Sequence, residues 1–177
     1  TVILSSASSK TSFSLAFLLS EDRHCKVVGL TSSANRGFVE NMGIYDEVVT
    51  YDDIESIDAS QRAAFIDMAG NDAVTARIHH HFGDQCVCSS GVGMTHWDSR
   101  EGASAGELPG AKRSMFFAPD QIQKRNREWG PSVYSQTMND AWDRVLSVVD
   151  NWVSLEHYGG ADSMQQAYLE VLDGASP

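Results

Sequence analysis

The chain has 177 residues, enough for one domain with a sizeable core, and a formal net charge of −11. That charge argues against a nucleic-acid or anionic-membrane surface, and no apolar run reaches the roughly 18–20 residues that span a bilayer. Three cysteines, Cys25, Cys86 and Cys88, are too few and odd in number for a disulfide framework, which points to a reducing cytoplasm.

The predicted elements alternate. Val2 to Ser5 is a strand and Thr11 to Leu19 a helix. "KVVGL" (26–30) is a second strand, followed by a helix from Ala34 to Met42 that Gly43 stops. "DEVVTY" and "AAFIDM" are strands three and four. Asp72 to Phe82 is a helix closed by Gly83, and "QCVCSS" is strand five. The Gly/Ser/Ala-rich stretch 99–112 reads as a loop, and "SMFFA" (114–118) as strand six. Helices follow over Pro119 to Trp129, about Ser132 to Glu156, and Asp162 to Leu172. On the long one, Met138, Ala141, Trp142, Val145, Val149, Trp152 and Val153 recur at helical spacing, so it is expected to bury one face. Near-continuous apolar strands alternating with helices predict an α/β fold: a Rossmann-like doubly wound parallel sheet with helices on both faces and a helical C-terminal part. Its ligand crevice should lie at the strand C-terminal ends, beside the first strand.

The loop "SSASSKTS" occupies that place and contains no glycine. A P-loop orders Lys and Ser/Thr as Lys10 and Thr11 do, and "AAFID" ends in an acid, Asp67, as a magnesium-binding strand does. Leu4 and Ser9, however, stand where that motif needs glycine. The alternative is a dinucleotide fold. Its second-strand tip carries an acid when NAD is preferred, and lacks one and supplies a cation when NADP is preferred. The tip "TSSANR", with Thr31, Ser32, Asn35 and Arg36, fits the NADP case.

"VILSSASSKTSFSLAFLL" with "KVVGLTSSANRGFVENMGIYDEVVTYDD" resembles the cofactor domain of medium-chain dehydrogenase/reductases, above all the zinc-independent quinone oxidoreductases and enoyl reductases. It also resembles an uncharacterised bacterial branch of that superfamily, in which "SASSKT", "THWD", "FFAP" and "WG" recur. The resemblance puts Ala7, Ser8 and Ser9 on the family's glycine-rich loop, Lys10 and Ser12 on usual glycines, and Tyr51 near the NADP 2′-phosphate. "FIDMAGND" resembles the end of the family's fourth strand, with Ala69 and Gly70 beside the cofactor. "CVCSSGVG" resembles the fifth strand and the loop that borders the nicotinamide, here Ser90, Gly91 and Val92. Phe116 and Phe117 would sit at the carboxamide face or, equally, in the strand core. Ser hydroxyls, the Lys10 ammonium and a helix N-terminus can all contact phosphate where the glycines are missing.

The resemblance implies a single NAD(P)-binding domain over 1–177, cut from a longer two-domain protein whose substrate domain lies upstream. It implies NADP(H), no metal, a small-molecule substrate, and a homodimer formed through strand six; the helices after that strand are the other candidate cover. His96 in "GMTHWD" is the candidate proton donor; the alternative is that Trp97 packs under the following loop and His96 caps a turn. His79, His80 and His81 point about 100° apart on a helix and cannot converge on one ion. Cys86 and Cys88 should share a buried strand face. Three functions follow: the cofactor domain of an NADPH-dependent reductase, a cofactor-free Rossmann-like structural or dimerising module, and a P-loop nucleotide hydrolase.

Overall fold

A computed structural model describes residues 1–93 and 108–172. The strands are β1 (Val2–Leu4), β2 (Val27–Thr31), β3 (Glu47–Thr50), β4 (Ala63–Asp67), β5 (Cys86–Gly91) and β6 (Ser114–Met115). The helices are α1 (Lys10–Asp22), α2 (Arg36–Asn41), α3 (Asp72–Phe82), α4 (Ala118–Trp129), α5 (Pro131–Val149) and α6 (Ala161–Leu172). The six strands form one sheet in the order β3-β2-β1-β4-β5-β6, and every neighbouring pair is parallel. This is the expected doubly wound Rossmann-like sheet, with the order reversing between β1 and β4. Among the described residues no helix is long and apolar enough to cross a membrane.

Two apolar layers sandwich the sheet. One packs Ile3, Val28, Leu30 and Phe65 against Val74, Ile78 and Phe82 of α3; the other packs Leu4 and Val27 against Phe13 and Ala16 of α1. The α3 boundaries match the expectation because both ends carry strong signals. Asn71 accepts from the Ala73 and Val74 N–H groups, and Gly83 leaves the helix at φ +50°.

Four expectations need correction. Thr50 is followed by a 3-10 turn, Tyr51–Ser56, so strand three ends one residue before Tyr51. In β5 a bulge opposite Ala63/Ala64 shifts the register between Cys86 and Cys88, so Cys86 is buried and Cys88 exposed rather than sharing a face. Strand six has two residues, because Phe117 already caps α4 and Pro119 belongs to that helix. The helices that follow leave Phe116 45% and Phe117 60% exposed, so they do not supply the expected cover.

The long helix ends at Val149 and meets the core by its C-terminal part. Val145 is buried, Val149, Trp152 and Val153 lie on the α1 layer, and Trp152 meets Phe13 edge-on at 5.5 Å. Arg144 pairs with Glu21 at the last turn of α1. Beyond that contact α5 leaves the core and runs beside α4, and Met138 and Trp142 of the same stripe are exposed.

Candidate functional site

The opening loop leaves β1 through a left-handed residue that is not glycine: Ser6 has φ +49°. Its carbonyl accepts from the Ser9 N–H at 2.8 Å, and Ser9 then caps α1, its hydroxyl accepting from the Ser12 N–H. The Ala7 N–H reaches the Leu30 carbonyl, and the Ser6 N–H donates to the Tyr51 hydroxyl at 2.9 Å. Among the described residues, the N–H groups of Ser8, Lys10 and Thr11 have no acceptor in the chain. They crown a 13-residue helix whose N-terminus carries roughly half a positive charge, beside the exposed Lys10 side chain.

The replaced glycines raise the question of whether side chains block this crest. Ser12 is buried and faces Tyr45 (Oγ to Oη 3.4 Å), so its Cβ points away from the crest. The space for that packing comes from Gly29 in β2, where a Cβ would lie 2.8 Å from the Tyr45 ring and 3.0 Å from the Ala7 Cβ. The Tyr45 hydroxyl donates to the Ala7 carbonyl at 2.8 Å, and burial pushes its pKa up to about 12.

On one flank of β1 the second-strand tip joins the loop. Asn35 donates from Nδ2 to Ser8 Oγ at 3.3 Å, and its own N–H is held by Ser32. Thr31 is buried at the end of β2, while Arg36 is exposed at the start of α2 and pairs with Glu40 at 2.7 Å. Ser8, Ser32 and Asn35 therefore meet directly, and Tyr51 joins them through Ser6. Lys10 and Thr11 share the crest, and Arg36 stands at its rim.

On the other flank lies a network that sequence reasoning did not anticipate. The buried Asp67 ends β4, across the reversal from Ser5. Its Oδ1 accepts from Ser5 Oγ (2.9 Å) and from the Ala69 and Gly70 N–H groups (both 3.0 Å). Its Oδ2 accepts from Arg113 Nη2 (2.7 Å) and Thr75 Oγ1 (3.4 Å), and Arg113 Nη1 reaches Asp72 at 2.9 Å. The N–H groups of Ala69 and Gly70 thus point inward at Asp67, and Asp67 has four donors, with Thr75 dividing its one proton between Asp67 and the Asn71 carbonyl (3.0 Å), where the P-loop reading needs a free magnesium ligand. No spacing signal links Asp67 to Arg113, which are 46 positions apart.

The β5 end closes over the same point. The Val92 and Gly93 N–H groups donate to the Asp67 carbonyl, and a Cβ on Gly93 would collide with the Met68 carbonyl oxygen, so this approach requires glycine. A Cβ on Gly91 would meet Met115 Sδ at 2.8 Å; Ser90 pairs with Ser114, and Phe116 and Phe117 lie further out on the β6 edge. His96 lies outside the described residues. Among the described residues no three His, Cys, Asp or Glu side chains are placed to hold a metal. His79 is buried between the Pro109 carbonyl and the Ser89 hydroxyl, both at 2.8 Å. A cavity of about 610 Å³ lined by Arg23, His24, Cys25 and Tyr45 contains none of the predicted cofactor residues.

Order reversal, parallel strands and a donor-rich first helix at the strand C-terminal edge define the class: a Rossmann-like domain with its crevice at the switch point. Within that class, the chain belongs to the family described as "Protein of unknown function (DUF2855)", whose family model matches residues 1–177. No curated protein matches it. Among solved structures it is similar to the yhdH oxidoreductase from Salmonella enterica in complex with NADP, at 13% identity and TM-score 0.48 over 82% of this chain. It is also similar to YHDH from E. coli K-12 with bound NADPH, at 14% identity and TM-score 0.47, again over 82% of this chain. The chain spans 42% of the length of each of these two proteins.

Proposed function

We propose that this domain binds NADP(H) along the crest formed by the opening loop, the α1 N-terminus and the β2 tip. The observation that carries the reading is the set of three backbone donors, at Ser8, Lys10 and Thr11, that converge on a helix N-terminus at the strand-order reversal with no acceptor among the described residues. Such donors suit a pyrophosphate. Ser9 supports this role as a cap, and Lys10 adds a cation beside it. The Ser8–Asn35–Ser32 cluster offers polar groups to a ribose, and Arg36 at its rim offers a guanidinium to a 2′-phosphate with no acid in the β2 tip itself.

When bound, the cofactor supplies the hydride chemistry, and the chain supplies position and electrostatics. We assign the domain to an oxidoreductase that acts on a small molecule of the quinone or enone type. Ala69, Gly70, Ser90, Gly91, Val92 and Phe116–Phe117 border the nicotinamide end in this reading, and His96 is the proton donor. A substrate wall from outside this domain would complete the site. Titration with NADPH, NADH and ATP with Mg²⁺ tests the reading. NADPH should bind tightest; equal affinities for the two dinucleotides would refute the 2′-phosphate assignment. Binding of ATP with Mg²⁺ alone would favour the hydrolase, and binding of none of the three the cofactor-free module.

A further inference from the structure

We infer that Tyr51 acts on the nucleotide as a positioning residue, by latching Ser6 in its left-handed turn, and not through a contact of its own with the 2′-phosphate. The inference rests on the reading of the crest as a nucleotide site. A residue with a Cβ is disfavoured at φ +49°, and the loop 5–12 has no glycine that could take the conformation without strain. A partner outside the loop adds to the Ser9 N–H bond that closes the turn from within.

The Tyr51 hydroxyl oxygen is that support. It accepts the Ser6 N–H at 2.9 Å, while the Ser6 carbonyl on the other side of the same residue accepts the Ser9 N–H. Ser9 caps α1, so the angle taken at Ser6 sets where the Ser8, Lys10 and Thr11 donors point. Tyr51 is itself fixed from behind. Arg77 on α3 donates from Nη1 to the Tyr51 carbonyl and from Nη2 to the Asp52 carbonyl, and it forks onto the Glu55 carboxylate. That pairing holds the Glu55 carboxyl far below its usual range, at about 2. Tyr51 also packs against the buried layer between the sheet and α3. The chain of contacts thus runs from α3 to the 3-10 turn, to the phenol, to Ser6 and to the α1 N-terminus.

Tyr51→Phe keeps the ring and removes the hydroxyl, both the acceptor for Ser6 and the proton that a direct phosphate contact would need. The test compares wild type, Tyr51→Phe and Ser6→Gly/Tyr51→Phe. It uses NADPH and NADH affinities, and amide exchange of residue 6 in the ligand-free protein. Losing one hydrogen bond of ordinary strength, Tyr51→Phe should weaken both dinucleotides by the same factor, about fivefold, and speed Ser6 exchange by a similar factor. Glycine tolerates the left-handed turn unaided, so the double variant should recover affinity for both to within about twofold. A loss confined to NADPH, or Ser6 exchange unchanged in Tyr51→Phe, would overturn the latch. If the wild type binds neither dinucleotide, the proposed function fails, and the exchange of Ser6 still decides whether the latch exists.

Discussion

Asp67→Asn is the substitution whose effect the structure defines most closely. The amide keeps one oxygen, which can still accept from Ser5 Oγ, Ala69 N and Gly70 N, the three donors now on Oδ1. Its NH₂ group then faces Arg113 Nη2, donor against donor, where a carboxylate oxygen now sits 2.7 Å away. Removing one partner of a fully buried pair costs about 3–5 kcal/mol. Here Asp67 is 1% exposed but the Arg113 side chain is 28% exposed and keeps Asp72, so the lower figure of about 2–3 kcal/mol applies. For a chain of this size that lowers Tm by about 5–10 °C. Arg113 Nε is already buried without a partner among the described residues, so the guanidinium has no ready alternative. Equilibrium urea unfolding with an unchanged m-value is the assay, with Arg113→Gln and the double variant completing a cycle whose coupling should be about 1–2 kcal/mol. A loss below about 1 kcal/mol in Asp67→Asn, or additive effects in the cycle, would show that the Asp67–Arg113 contact does not hold β4 to β6.

Arg36→Glu should abolish the preference for NADPH, lowering its affinity at least tenfold while NADH changes little, because a charge-assisted bond to phosphate is worth about 1.5–3 kcal/mol; paired titrations check this. Gly29→Ala should cost about 1–3 kcal/mol in urea unfolding, because the new Cβ must displace the Tyr45 ring from its place over Ala7. Tyr45 is neutral in the folded chain up to about pH 12, against about 10 when exposed. Its contribution is therefore complete below pH 10 and lost as pH rises through 12, which a tyrosinate absorbance titration alongside unfolding at each pH should reveal. We expect a homodimer joined at the β6 edge through Phe116 and Phe117, and Phe117→Asp should convert it to monomer in analytical ultracentrifugation; a monomeric wild type at high concentration would contradict this edge as the interface.

The order of the sheet was legible because each strand is a short apolar run and each crossover carries its own stop signal, as Asn71 and Gly83 do around α3. The crest was legible for the same local reason, since Ser8, Lys10, Ser32 and Asn35 lie within two turns that the strand–helix alternation brings together. The Asp67 network was not. Arg113 sits in a loop with no periodic pattern around it, and its partners Asp67 and Asp72 come from two separate elements, β4 and α3. The bulge that separates Cys86 from Cys88 leaves no mark in composition. Periodicity identified the apolar stripe of α5 but not its cover, which depends on where α1 ends. A signal for the turn over Tyr51–Ser56 was present and unread: Ile54 and Ile57, three apart, are both buried.

The hydroxyl of Ser5 also bears on how the chain assembles. β3, β2 and β1 come from the first 50 residues, and β4, β5 and β6 from residues 63–115, so each half of the sheet closes over short sequence distances. Within the described sheet, β1 against β4 is the strand pairing that joins them, between residues about 60 positions apart, with Ser5 bridging to Asp67 at the end of that seam. The seam is the longest-range pairing of the described sheet, so its closure is the strand pairing that loop entropy should slow most. A chain cut between Ile57 and Ala63 should yield two fragments that reassociate when mixed, and Ser5→Ala should weaken their reassociation more than it unsettles either half.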